Sequence, residues 1–197
     1  RFSADGVVNE GEVSRRLGVP GQNCRSESEG LLQWNAASLQ AQAADVAHLH
    51  VAHVSSRATL KALAKIRSGP SRLSHLTLET APHYLCLTQE AVLHLGADAK
   101  MNPPLRTEAD RQAIMAAVLD RTIAVIATDH APHSLEEKAR GPVEAPFGVT
   151  GLETALGVML TELLHSRHMT LSGVLSLLTC NPASVLTLTD EAARPLG

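Results

Sequence analysis

An α/β fold built on a parallel sheet is what this sequence predicts, and three observations carry the prediction. Apolar runs of strand length alternate with stretches whose apolar residues recur at helical spacing. One run, IAVIA at 123–127, is apolar on both faces, as a parallel strand covered on both sides requires. Each run ends in polar residues capable of chemistry, where parallel sheets and parallel barrels alike place their functional groups.

The elements follow in order. Residues 1–46 are rich in Gly, Asn, Ser and Glu and read as a long loop, then a helix near 27–44. AHLHVAHV at 47–54 is the first strand of the repeating part. Behind it Ser55-Ser56 offers an N-cap oxygen, Leu60, Leu63, Ala64 and Arg67 fall on helical spacing, and Gly69 suits a left-handed stop. A helix over about 57–67 results. LSHLTLET at 73–80 alternates and ends before Pro82, and Thr88 is placed to cap a short helix ending at Gly96.

Thr107 and Asp110 form a T-x-x-D capping pattern for a helix to about 120, with Ile114, Met115, Val118 and Leu119 as its buried stripe. IAVIA is the third strand. Leu152, Ala155, Leu156, Met159, Leu163 and Leu164 then recur at helical spacing, and a last helix covers about 171–179 before Asn181-Pro182. Strands alternating with helices in this way imply βαβ units, in a doubly wound sheet or a (β/α)8 barrel. No glycine-rich phosphate loop follows any strand, which weakens nucleotide binding.

Composition narrows the function classes. The 197 residues are 44% hydrophobic and 19% charged with a net charge of -3, which argues against disorder and against a nucleic-acid surface. Cys24, Cys86 and Cys180 lie far apart with no CxxC pair, against a disulfide framework or a cysteine zinc site, and a reducing cytoplasm fits best. No apolar run approaches 18 residues and RFSADG has no signal pattern, so neither membrane nor secretion is expected. The start at Arg1 without a methionine is that expected of part of a longer polypeptide.

The chemistry gathers at the strand ends: His53 in HVS, His83 in APHYL, and Asp129, His130 and His133 in DHAPH. A single histidine near a strand end is more often a hydrogen-bonded core residue than a ligand; three successive strand ends sharing the pattern point to a site. Asp129 leaves a fully apolar strand, where a carboxylate costs several kcal/mol unless a cation or strong donors meet it. A metal ion would meet it, and so would the backbone N–H groups of the following loop.

These residues carry a family resemblance. HVSS (53–56), ETAPHYL (79–85), MNPPLR (101–106), TDHAPH (128–133), EEK (136–138) and FGVTGLET (147–154), in this order, resemble the dihydroorotases of the cyclic amidohydrolase superfamily; NEGEVSRRLG (9–18) resembles a loop upstream in the same enzymes. The resemblance implies a (β/α)8 TIM barrel with a binuclear site at its mouth, usually two zinc ions. His53 would be a ligand of one metal; Asp129 would be a ligand of the other and the general base and acid. Asn102, His133 and the Phe147-Gly148 backbone would hold the substrate. His83 and His130 match the motifs without a contact role, and Arg106 has none assigned. The implied reaction is reversible hydrolysis of (S)-dihydroorotate to N-carbamoyl-L-aspartate, in pyrimidine biosynthesis, by zinc-bound hydroxide.

The departures matter equally. The family's His-x-His pair on its first barrel strand, its bridging carboxylated lysine or aspartate on the fourth, and a further histidine on the fifth all come before the NEGEVS-like loop and are not matched in this chain. Two ligands are too few for a catalytic zinc site, which ordinarily takes three plus water. Residues 1–197 are therefore expected to be one incomplete metal-dependent hydrolase barrel domain, inactive alone. Its parallel strands have open edges that invite missing strands or another chain, so a homo-oligomer is left open. Two other readings stand beside the first: an allantoinase or other cyclic amidohydrolase, against which DHAPH and NPPLR weigh, and a metal-free scaffold subunit for aspartate transcarbamoylase.

Overall fold

The computed structural model describes residues 6–40, 49–71 and 76–186. The first segment is more structured than a loop. Strands β1 (Val8–Asn9) and β2 (Gly21–Gln22) pair in parallel around helix α1 (Glu12–Leu17). Two-residue strands are too short to leave an alternating pattern, and what marks them is close backbone approach. A Cβ on Gly6 would collide with the Gln22 backbone, and one on Gly21 would lie 2.5 Å from the Glu10 Cα. Helix α2 (Arg25–Gln40) follows, its first N–H bonded to the Asn23 side chain; the end predicted for it, to 44, falls outside the described residues.

The central sheet is parallel and runs in sequence order: β3 (Leu49–Val51), β4 (Leu76–Thr80) and β5 (Val125–Ile126), with Val51 opposite Leu78 and Thr80 opposite Ile126. Its strands are shorter than the apolar runs that predict them, and residues 47, 48 and 73–75 of those runs lie outside the described residues. Helix α3 (Arg57–Ser68) connects β3 to β4, and Ser56 Oγ accepts the Thr59 N–H as its cap. Its buried stripe is Thr59, Ala62, Leu63 and Ile66, rotated from the predicted one, so Ala64 and Arg67 face solvent. Gly69 does not take the predicted left-handed conformation. It is extended at φ -113°, because Pro70 follows and a pre-proline residue is driven to the β region.

Between β4 and β5 come α4 (Pro82–Cys86), α5 (Val92–Leu95) flanked by 3-10 turns at Gln89–Ala91 and Gly96–Ala99, and α6 (Glu108–Leu119). Thr88 does not cap as expected; the Gln89 N–H donates to the Arg106 carbonyl at 2.8 Å instead. The Thr107–Asp110 capping box does form, and Asp110 also accepts the first N–H of α3 from Arg57 at 3.1 Å. One carboxylate thus fixes the starts of two helices.

After β5 come the short helices α7 (Leu135–Lys138) and α8 (Gly141–Glu144) and then α9 (Ala155–Met159), which widens into a π-helical stretch over Leu160–His165. Helix α10 (Leu171–Leu178), capped by Thr170, precedes α11 (Cys180–Val185), which takes in Asn181-Pro182; Pro182 lies in its first turn, where no intrahelical N–H is needed. Met159 and Leu163 are fully buried, whereas Leu152 and Leu156, predicted on the same stripe, are 64% and 46% exposed. The main core packs Leu63, Ile114 and Val118 from the helices before β5, and Met159, Leu163 and Leu177 after it, around Leu78 and Ile126. A second core joins Val8 and Val13 to Tyr84, Met101 and Leu105. No helix among the described residues is long and apolar enough to cross a membrane.

Candidate functional site

The carboxyl ends of the three central strands converge on a cluster of acids and imidazoles. His53, just past β3, and Asp129, just past β5, both sit in left-handed backbone conformations, at φ 56° and 49°. Non-glycine residues seldom adopt this conformation, and such strain collects at functional sites. It turns both side chains back toward each other: His53 Nε2 is 3.8 Å from Asp129 Oδ1. His83, in the first turn of α4 after β4, places its Nε2 3.8 Å from Asp129 Oδ2.

Glu79, on β4, completes the cluster. Its Oε2 bonds His50 Nε2 at 2.9 Å, and its Oε1 is 3.4 Å from His53 Nδ1 without completing a hydrogen bond. His50 Nδ1 in turn bonds Thr77 Oγ1 at 2.8 Å. Neither His50 nor Glu79 was singled out from the sequence, although a signal existed. Glu79 is the one charge in an otherwise apolar and threonine-rich strand, where an acid needs a partner.

Burial shifts two members of the cluster. His83 is pushed down to about 4 by desolvation, and further by the charge of His53, so at neutral pH it is a neutral imidazole. Desolvation also raises Asp129; His53 opposes the rise and Glu79 adds to it. A carboxylate held above its ordinary range is better suited to take up and return a proton near neutrality.

Among the described residues no group of three or more His, Cys, Asp and Glu could hold a metal ion. The pair His53–Asp129 fits half of such a site. Their 3.8 Å separation is too long for a hydrogen bond, and imidazole and carboxylate are both donor types that zinc accepts. His53 Nδ1 and His83 Nε2 are buried polar atoms with no hydrogen-bond partner, which is consistent with a cluster that meets a further group.

The other residues expected at the site divide. His133 Nε2 donates to the Phe147 carbonyl at 2.9 Å, which fixes its tautomer, and Gly148 sits against it at φ 141°. His83, His133 and Gly148 line one cavity of about 520 Å³. Asn102 is exposed, and its Oδ1 accepts from Gln22 Nε2 at 3.1 Å. His130 Nδ1 accepts the N–H groups of Gly151 and Leu152, at 3.1 and 3.2 Å, and so holds the turn after Val149. Arg106 is buried and donates to Ser55 Oγ, Asn9 Oδ1 and the Gln22 carbonyl, joining the HVSS, NPPLR and NEGEVS segments. Glu27 accepts from the Ser55 backbone and hydroxyl on the other side.

No family model matches the chain. Curated dihydroorotases do: that of Latilactobacillus sakei is 38% identical over 192 residues, 98% of this chain and 43% of that protein. The dihydroorotase of Desulfotalea psychrophila is 44% identical over 187 residues, 95% of this chain and 42% of that protein. The chain thus spans about two fifths of the length of the curated relatives it matches. Among solved structures, dihydropyrimidinase from Brevibacillus agri superposes with a TM-score of 0.71 at 21% identity, covering 91% of this chain and 38% of that one. L-hydantoinase from Arthrobacter aurescens superposes with a TM-score of 0.72 at 24% identity, covering 84% and 36%. At these identities the likeness shows the fold alone: short parallel strands and helices that match part of a larger parallel α/β barrel.

Proposed function

From the premise that the chain is a homologue of the dihydroorotases with the fold of part of the cyclic amidohydrolase barrel, we propose that residues 1–197 are an incomplete metal-dependent hydrolase domain. It supplies the carboxyl-side part of a site that interconverts (S)-dihydroorotate and N-carbamoyl-L-aspartate. The observation that supports this most is the meeting of His53 and Asp129, from two different motifs, at the mouth of the sheet.

His53 and Asp129 are the residues that would hold metal, with partners that this chain does not contain. When bound, zinc supplies Lewis-acid polarisation and makes water acidic enough to act as a nucleophile near neutral pH. The chain's own work is proton transfer and placement. The attacking water forms a bond to the ring carbonyl carbon as the ring C–N bond breaks, and Asp129 carries the proton from that water to the departing nitrogen. His133, Asn102 and the Phe147-Gly148 backbone would hold the substrate carboxylate and ureide through hydrogen bonds.

The test is ring opening of dihydroorotate by the longest polypeptide its gene encodes, with zinc present, alongside elemental analysis. Turnover of dihydroorotate with about two metals per chain supports the reading. Opening of allantoin with dihydroorotate untouched shifts it to an allantoinase. Absence of metal together with binding to aspartate transcarbamoylase shifts it to a scaffold subunit.

A further inference from the structure

Lys100 precedes the MNPPLR segment and is only 3% exposed. Its Nζ donates to the carbonyls of Val143 and Ala145, at 2.9 and 2.5 Å, and sits 4.4 Å from the centre of the Phe147 ring. Its own carbonyl accepts the Gly148 N–H at 2.9 Å. One residue therefore grips the 143–148 loop four times, through both its ends. Among the described residues no carboxylate contributes to its charge state; burial and the nearby ammonium of Lys138 both press its pKa down. Lys138 supports the same junction, donating to the carbonyls of Ala97, Lys100 and Pro146 at 2.9, 3.5 and 3.2 Å.

A buried ammonium without a counter-ion is costly, and an apolar side chain of equal length would fill the same space without that cost. What the ammonium adds is direction: it fixes two carbonyls and an aromatic face of one loop. That loop carries Phe147, whose carbonyl receives His133, and Gly148, where a Cβ would lie 2.5 Å from the Ala131 carbonyl and 2.9 Å from His133 Nε2. Two residues beyond Lys100 stands Asn102. We propose that Lys100 is a positioning residue that clamps the 143–148 loop against the MNPP segment, setting the spacing between Asn102 on one side and His133, Phe147 and Gly148 on the other. Its bearing on substrate rests on the dihydroorotase reading; the clamp itself does not.

Phe2 and Phe147 are the two phenylalanines of the chain, so 4-fluorophenylalanine in a Phe2→Leu background gives one fluorine resonance, from Phe147. Lys100→Met should move that resonance toward the value of a solvated ring and speed exchange of the Gly148 amide about tenfold or more. Lys100→Arg should restore part of both. A Lys100→Met chain that keeps its far-ultraviolet circular dichroism with both signals unmoved overturns the clamp. Should Lys100→Met fail to fold, the unsubstituted chain still decides: acetylation of Lys100 should run about 100-fold slower than that of exposed Lys61, and equal rates overturn the proposal. In the polypeptide assayed for turnover, Lys100→Met should raise KM for dihydroorotate about tenfold with kcat within about threefold. An unchanged KM removes the substrate role. Clamp signals as expected with no dihydroorotate turnover in the unsubstituted protein would uphold the clamp and count against the dihydroorotase reading alone.

Discussion

His53 Nε2 and Asp129 Oδ1 stand 3.8 Å apart at the ends of β3 and β5, two strands that do not pair with each other but flank β4. The sheet brings together residues 76 positions apart, and each then adopts a left-handed conformation that aims it at the other. Asp129→Asn preserves shape and removes the proton acceptor. On the proposed reading, turnover of dihydroorotate by the complete polypeptide should fall by about 10²–10⁴, while His133→Ala should act mainly on KM. Initial rates across substrate concentration check both, and an Asp129→Asn enzyme within about threefold of its parent would refute the role given to the acid.

The rotation of the last long helix gives a stability contrast. Met159 is fully buried in the main core and Leu156, three residues earlier, is 46% exposed. Met159→Ala should cost about 2–5 kcal/mol, and Leu156→Ala about 0.5 kcal/mol or less. Urea unfolding measures both; similar losses would mean that the helix is seated on a different face.

What could be read from the sequence was local. Ser56 and Thr107 cap helices because the acceptor and its N–H lie within one turn, and the parallel order of β3, β4 and β5 follows from the alternation of runs and helices. Local rules failed in two places: the Thr88 side chain accepts no N–H of the turn it precedes, while the Gln89 N–H reaches the distant Arg106 carbonyl, and Gly69 is extended because proline follows it. In the candidate site, motif order made His53 and Asp129 legible. Glu79, His50 and Lys100 were not legible, since their meaning lies in partners that only the fold brings near.

Cys86 should be the slow thiol. Burial, with a smaller contribution from Glu162, raises it from an ordinary value near 9 to about 11. At pH 8 about one in a thousand of these groups is thiolate, whereas Cys180 is exposed. Iodoacetamide followed by peptide mass mapping should label Cys180 long before Cys86. Between pH 9 and 11 the unfolded chain releases a proton that the folded chain keeps. The stability this group contributes is therefore complete below pH 9 and lost as pH rises through 11. Equal labelling rates at pH 8 would contradict the burial.

Gly148→Ala should loosen the loop beside His133. The residue sits at φ 141°, and its new Cβ would lie 2.5 Å from the Ala131 carbonyl and 2.7 Å from the Ala131 Cβ. Backbone must shift, at about 1–3 kcal/mol. The expected readout is faster amide exchange over 143–148 with the exchange of Ile114 and Val118 unchanged; a uniform change across the chain would place the strain elsewhere.

Arg106 answers a question the sequence left open. It reaches no acid of the candidate site. Instead its Nε bonds Ser55 next to the β3 end, and its Nη1 bonds Asn9 and the Gln22 carbonyl of the β1–β2 sheet. Its remaining Nη2 is 4.0 Å from Glu27, whose carboxylate holds Ser55 from the opposite side. A single guanidinium thus docks the first segment onto the strand that carries His53. Arg106→Leu takes the donor from Ser55 Oγ, Asn9 Oδ1 and the Gln22 carbonyl beside the half-buried Glu27, at about 1–3 kcal/mol. Glu27→Gln, which keeps hydrogen bonding, should cost less. Because Val8 and Val13 pack in the second core, against Tyr84, Met101 and Leu105, and not in the main one, the expected unfolding is partial, with protease cutting near residues 18–24 before the main core opens. A variant that unfolds in one step, with no early cleavage there, would show that Arg106 supports the whole domain rather than this one joint.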